Sequence, residues 1–125
     1  MNARHAIVLA LGLAALAGCT RMRSAGDFAV STPGDPDRGE KLIVANDCGV
    51  CHTIPGVARA RGRVGPPLTG FAARAFIAGQ VPNSPQTLVQ WIQDPPSIAP
   101  NTAMPVLGIS ESDARDIAAY LYTLN

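Results

Sequence analysis

Two thiols three positions apart, followed at once by an imidazole, stand at Cys48-Gly49-Val50-Cys51-His52. No other stretch constrains the chain as tightly. The spacing C-x-x-C-H reads as a c-type haem attachment. The two thiols suit thioether bonds to the two vinyl groups of a haem, and the adjacent imidazole suits one face of the iron. Other uses of the motif are less well served. A thioredoxin-like pair belongs in a βαβ setting, and no such alternation is visible. A structural zinc site needs about four ligands, and beyond the motif the chain offers only Cys19 and His5. A small domain buries a small share of its surface, and the chain holds only six aromatic residues. A porphyrin would supply the missing apolar bulk, so the rest of the chain is expected to fold around it.

The N-terminus reads as a targeting segment. Arg4 precedes an apolar run of 12 residues, Ala6 to Ala17. A membrane-spanning helix takes about 20 apolar residues, so the run fits a signal-peptide h-region instead. It ends Leu16-Ala17-Gly18-Cys19, which resembles the lipobox of bacterial lipoproteins, in which the cysteine is lipidated and becomes the new N-terminus. An ordinary secretory signal with an idle thiol is the alternative. Lipidation at Cys19 also accounts for the odd cysteine count, two for haem and one for lipid. Either way the domain is exported, to a periplasm-facing location. Three regions follow: a signal peptide over 1–18, a lipidated N-terminus and flexible tether over 19–33, and a haem domain over 34–125. The tether, rich in Ser, Thr, Gly and Ala, would have a root-mean-square span of roughly 20 Å. Met22 lies in it and reads as a tether residue, not a ligand.

Beyond residue 18 the chain carries nine basic and nine acidic residues. A nucleic-acid binder shows a strongly basic face, so that class is set aside.

Within the domain, Asp35-Pro36 marks a helix start, with a cap and then proline at the first position; the helix is expected over Pro36 to Asp47. Gly39 inside it costs up to about 1 kcal/mol against Ala, and close approach of another helix would justify it. A loop follows from Thr53 to Leu68. Its alternating Arg59, Arg61 and Arg63 are either solvated charges or a small positive patch for a partner. Pro66 and Pro67 close the loop; they lack N–H groups but keep acceptor carbonyls, which a metal-ligating histidine needs for its other ring nitrogen. A short helix is expected over Leu68 to Phe76, with Phe71 and Phe76 in the core. Asn83-Ser84-Pro85 starts another, to Gln93, with Leu88, Trp91 and Ile92 on one face; Trp91 would line a haem pocket. Pro95 to Leu107 reads as a stiff loop containing Met104, which lies 52 residues beyond His52 and is the best sixth ligand. Ser110 to Asp113 resembles a capping box, opening a last helix from Glu111 to Tyr122 with an apolar stripe at Ala114, Ile117, Ala118 and Leu121.

Taken together, Gly39, CGVCH, GPPL, Arg74, Trp91-Ile92, Pro100, Met104 and Ala119-Tyr120-Leu121 resemble class I cytochrome c over about Gly34 to Asn125. The Asn83-Ser84-Pro85 and Met104-Pro105 stretches are similar to the cytochrome c domain of caa3-type oxidase subunit II. The resemblance implies an all-α cytochrome c fold, with crossed N- and C-terminal helices plus short helices and loops around one haem c held covalently by Cys48 and Cys51. It implies Gly39 against Tyr120 at the crossing, His52 and Met104 on the iron, the Pro66 carbonyl accepting from His52, and Arg74 and Thr102 near the propionates. Three positions depart from the pattern. Trp91 replaces a tyrosine near the methionine sulfur. Asn101 replaces a glycine. Pro96, Ser97 and Ala103 stand where lysines surround the haem edge.

The expected function is that of a lipid-anchored electron carrier and not an enzyme, with redox protein partners (a terminal oxidase, a quinol-oxidising complex or a dehydrogenase), a membrane reached through the lipid on Cys19, and no small-molecule substrate. Rival readings are a haem subunit of a periplasmic dehydrogenase or reductase complex, a haem sensor or peroxidase with an open sixth site, and a non-haem lipoprotein using its C-x-x-C for a disulfide.

Overall fold

The computed structural model describes residues 32–125. The expected signal segment, Cys19 and nearly all of the expected tether lie outside the described residues.

Helix α1, Pro36–Ala45, starts where the cap and proline place it. The Asp35 carboxylate accepts from the amides of Asp37 and Arg38 at 2.9 and 3.3 Å, satisfying donors that a helix start otherwise leaves open. It ends earlier than Asp47. The Asn46 side-chain amide donates to the Leu42 carbonyl at 2.9 Å, and Asp47 turns left-handed at φ 53°. That turn resets the chain into α2, Cys48–Cys51.

From Leu68 to Phe76 only a 3-10 turn forms, Phe71–Ala73. Phe71 is buried as expected. Phe76 is not a core residue: it is 58% exposed, on the opposite face of a short strand from its buried neighbour Ile77. Strands β1, Phe76–Ile77, and β2, Val81–Pro82, pair antiparallel, Phe76 opposite Pro82 and Ile77 opposite Val81. Ile77 takes the inward position and is buried. This small sheet is an addition to the otherwise helical architecture.

Helix α3, Pro85–Gln93, has the expected bounds. Ser84 and Thr87 cap one another reciprocally, side chain to backbone in both directions. Pro95 and Pro96 do not simply stop the chain; they open a further short helix, α4, Pro95–Ile98. Proline is tolerated in a first turn because the amides it lacks would have no partner there. Helix α5, Glu111–Leu121, is capped by Ser110, whose hydroxyl accepts from the Asp113 amide at 3.2 Å. The Asp113 carboxylate is used elsewhere, on Arg38.

The main packing is α1 on α5, and α3 also packs against α5. Gly39 meets α5 at Asp116 and Tyr120, the crossing that its place in the helix called for. The Asp35 amide donates to Asp116 Oδ1 at 2.7 Å, and the Arg38 guanidinium binds both Asp113 and Asp116. Beneath lie Ile43, Leu88, Ile92, Ala114, Ile117 and Leu121, all buried. Burying a Leu or Ile side chain stabilises by roughly 1.5–3 kcal/mol, so this cluster holds the helices around the site that follows. Among the described residues no helix is long and apolar enough to cross a membrane.

Candidate functional site

The left-handed Asp47 turns α2 so that Cys48 and Cys51 lie on the wall of a cavity of about 810 Å³. Both thiols are half-buried and free. Burial pushes the Cys48 thiol up, and the charge of Asp47 adds to that. His52 leaves the helix in an extended conformation, φ −114° and ψ 144°, and its ring lines the same cavity.

His52 Nδ1 sits 2.8 Å from the Pro66 carbonyl. A carbonyl only accepts, so Nδ1 carries the proton and Nε2 keeps the ring's lone pair for a metal. The loop behind the ring is closely fitted. The Gly62 amide donates to the carbonyls of Gly49 and His52, the Gly65 amide to Cys51, and the Leu68 amide to Thr53, all at 2.8–3.2 Å. A Cβ on Gly65 would come within 2.3 Å of His52 Cε1, so only glycine lets the backbone pass there.

The cavity's other lining comes from Phe71, Arg74, Phe76, Trp91 and the 99–105 segment with Thr102 and Met104. Met104 is half-buried, and its amide donates to Thr102 Oγ1 at 3.1 Å. That bond engages the Thr102 hydroxyl with its own backbone. Arg74 donates to the carbonyls of Pro67 and Thr69 and lies 5.4 Å from the Phe71 ring centre. Trp91 makes no hydrogen bond to Met104 among the described residues. Arg59, Arg61 and Arg63 are all exposed and form no salt bridge among the described residues.

Cys48, Cys51, His52, Pro66, Arg74, Trp91, Thr102 and Met104 are thus brought to one site: Pro66 contacts His52 directly, and all eight line one cavity. Cys19 lies outside the described residues. Sequence reasoning missed Gly65, Asn83 and Tyr122. The Gly-Pro-Pro run was a signal for the first; Asn83 was marked as a helix start and within the Asn83-Ser84-Pro85 stretch of the family resemblance, neither of which pointed to its side-chain contacts.

The fit to a haem rests on this cavity. Its volume falls within the roughly 300–1,000 Å³ of cofactor pockets, its walls are mostly apolar, and its few donors are two thiols, an imidazole whose Nε2 keeps its lone pair, and a thioether. Soft sulfur and imidazole donors suit iron in a haem, whose ligands include histidine and methionine.

A family model described as cytochrome c matches residues 36–125. Among curated proteins, cytochrome c oxidase subunit 2 of Alkalihalophilus pseudofirmus is 35% identical over 89 residues, covering 70% of this chain and 25% of that protein. The corresponding subunit of Bacillus subtilis is 32% identical over 87 residues, covering 68% and 24%. The chain therefore spans about a quarter of the length of these two relatives. Cytochrome c2 of Rhodopila globiformis is 34% identical over 105 residues, covering 74% of this chain and 95% of that protein. The solved structure of cytochrome c2 from Rhodobacter sphaeroides matches with a TM-score of 0.54 at 26% identity, covering 74% of this chain and 97% of that one. The chain belongs to the cytochrome c family, as a class I monohaem member, and Cys48 and Cys51 are the cysteine pair through which that family holds haem c covalently.

Proposed function

We propose that this chain is a lipid-anchored, periplasm-facing cytochrome c that carries single electrons to or from membrane redox complexes, with His52 and Met104 as the axial ligands. The observation that carries the reading is that Met104 lines the same cavity as Cys48, Cys51 and His52. When bound, haem c supplies a one-electron couple, and Met/His ligation raises its potential. The protein's own residues do the rest. The Pro66 carbonyl fixes the His52 tautomer, and the apolar walls exclude water. His52 and Met104 would together hold the iron, which would leave oxygen and small substrates no ready site and favour transfer over catalysis.

Similarity to two proteins named cytochrome c oxidase subunit 2 supports a terminal oxidase as one partner. Docking is mainly apolar in this reading. Val50, Val64 and Leu107 are exposed and line the cavity, and Pro96, Ser97 and Ala103 bring no charge. The lipid on Cys19 would compensate by raising the local concentration of partner. Electron-transfer rates that fall by orders of magnitude between low and moderate salt would overturn the apolar docking.

The test of the whole reading is a visible spectrum and intact mass of membrane-extracted protein. One covalent haem, an acylated Cys19 and a low-spin spectrum insensitive to carbon monoxide are expected. Rapid binding of carbon monoxide by the reduced protein at neutral pH would replace it with a sensor or peroxidase that has an open sixth site.

A further inference from the structure

His52 is held from behind, and the group that holds it is itself held. Its Nδ1 bonds to the Pro66 carbonyl at 2.8 Å. Neither Pro66 nor Pro67 has an amide hydrogen, so backbone donors of their own cannot anchor this turn. Arg74 braces it instead, donating to the next carbonyl, Pro67, and to Thr69 at 3.2 Å.

What places Arg74 is Asn83. Its side-chain amide donates to the carbonyls of Arg74 at 3.0 Å and Phe71 at 3.2 Å, and its backbone amide donates to Ala75 at 2.9 Å. Its Oδ1 accepts from the Tyr122 hydroxyl at 2.8 Å. Tyr122 lies just past α5 and is buried, and burial pushes its hydroxyl up to about 12, so it stays a donor at neutral pH. An O–H donor on Oδ1 fixes which way the Asn83 amide faces, because only the nitrogen can then serve the two carbonyls. The Tyr122 ring also packs edge-on against Phe71, with centres 5.9 Å apart. Neither Asn83 nor Tyr122 lines the cavity.

We infer that Tyr122 and Asn83 are positioning residues for the His52 ring, acting through Arg74 and the Pro66-Pro67 turn to hold its Nδ1 hydrogen bond and thereby tune the reduction potential. The inference rests on the reading of His52 as an axial ligand. A carbonyl on the far nitrogen makes an imidazole a more basic ligand and so favours the oxidised, more positive centre. Loosening that bond raises the potential. Losing the Arg74 cation, by contrast, removes a charge that favours the reduced state and lowers it. The sign separates positioning from charge.

The experiment uses the haem-loaded protein and two variants. Tyr122→Phe keeps the ring and removes the donor. Arg74→Lys keeps the charge and loses the planar fork. Three quantities are read: exchange of the His52 Nδ1 proton by NMR in the reduced protein, the reduction potential, and the thermal midpoint. Exchange several-fold faster is expected in both variants. A two- to threefold shift of the redox equilibrium toward the reduced form is expected as well, about 20–30 mV upward given 59 mV per tenfold for one electron. Unchanged exchange with a lowered thermal midpoint overturns the inference and leaves a merely structural role, and so does a fall in potential. Faster exchange in a protein whose wild-type His52 ring shows no influence of iron supports the hydrogen-bond chain and overturns the axial reading of His52.

Discussion

Replacing Gly39 with Ala tests the crossing on which the site is built. A Cβ there would lie 2.0 Å from the Asp116 carbonyl oxygen, 2.6 Å from its carbon and 3.0 Å from Tyr120 Cβ. The first two atoms are backbone and cannot rotate away, so α1 and α5 must separate by about 1 Å to restore an ordinary contact. A gap of about that size forfeits a quarter to a half of the attraction between facing atoms. Overpacking costs about 1–3 kcal/mol, while the better helix propensity of Ala returns up to about 1 kcal/mol. The same separation strains the 2.7 Å bond from the Asp35 amide to Asp116, which pushes the total to the upper part of the range. A net loss of roughly 1–3 kcal/mol lowers the melting temperature of a domain this small by about 5–20 °C. The assay is thermal unfolding of the haem-loaded protein, with Glu40→Ala as the control. Glu40 is exposed and adjacent on α1, and its loss should stay within about 0.5 kcal/mol. A Gly39→Ala protein as stable as wild type would refute the close crossing and reduce the glycine to a tolerated accident.

Met104→Ala should keep the covalent haem, lower the reduction potential and let the reduced protein bind carbon monoxide; an unchanged potential would mean that another group is the ligand. Cys19→Ser should move the protein from the membrane to the soluble fraction, and persistence in the membrane would refute the lipid anchor. The Asp35 amide, followed by the Arg38 guanidinium, holds the Asp116 carboxyl below its usual range. A depressed folded value means that this stabilisation is complete above the unfolded value near 3.9 and is lost as pH falls from there through the folded one. Asp116→Asn should therefore lower stability at neutral pH and flatten the acid limb measured by unfolding between about pH 5 and 2; an acid limb identical to wild type would show that Asp116 contributes nothing to it.

Where a chemical signal stands at both ends of an element, the sequence is enough. Helix α3 has Ser84-Pro85 before it and Asp94-Pro95 after it, and its bounds agree to the residue. Helix α1 has a signal only at its start. Its end depends on the Asn46 side chain and on a left-handed Asp47, neither of which alters the apolar pattern, so the helix reads two residues too long. Phe71 and Phe76 look alike as apolar residues, yet one is buried in the core and the other stands on β1 at the wall of the open cavity. Which of them a domain buries is a tertiary matter when the chain leaves a helix for a strand between them. The prolines at 95 and 96 are ambiguous in kind, since the same residue that ends one helix suits the first turn of the next. Cys48, Cys51, His52 and Met104 stood out because rare residue types mark them, whereas Arg74 and Thr102 stood out only through the family resemblance. The contacts of Asn83 and Tyr122 did not, because an amide and a phenol are common and only the fold brings them 2.8 Å apart.

The two sides of the cavity are built differently, and this bears on how the site behaves. The His52 side is laced by the amides of Gly62, Gly65 and Leu68 and by the Pro66 acceptor, and the two thioether bonds that Cys48 and Cys51 would make to a haem would fall on it. The Met104 side is a segment without regular structure. Thr102 bonds to Ala99, the Met104 amide to its neighbour Thr102, and the Gln93 side chain reaches the Ile109 carbonyl only at 3.4 Å. Val106 and Leu107 on that segment are exposed. Segments with few internal hydrogen bonds and exposed apolar groups belong to the low-stability end of a fold. On the proposed reading the hold that Met104 would have on the iron is therefore the weaker constraint. Moderate heat or denaturant should release it while α1, α5 and the covalent attachment persist. Ligation and global stability would then separate into two transitions, the first governed by residues 99–109 and the second by the crossing at Gly39.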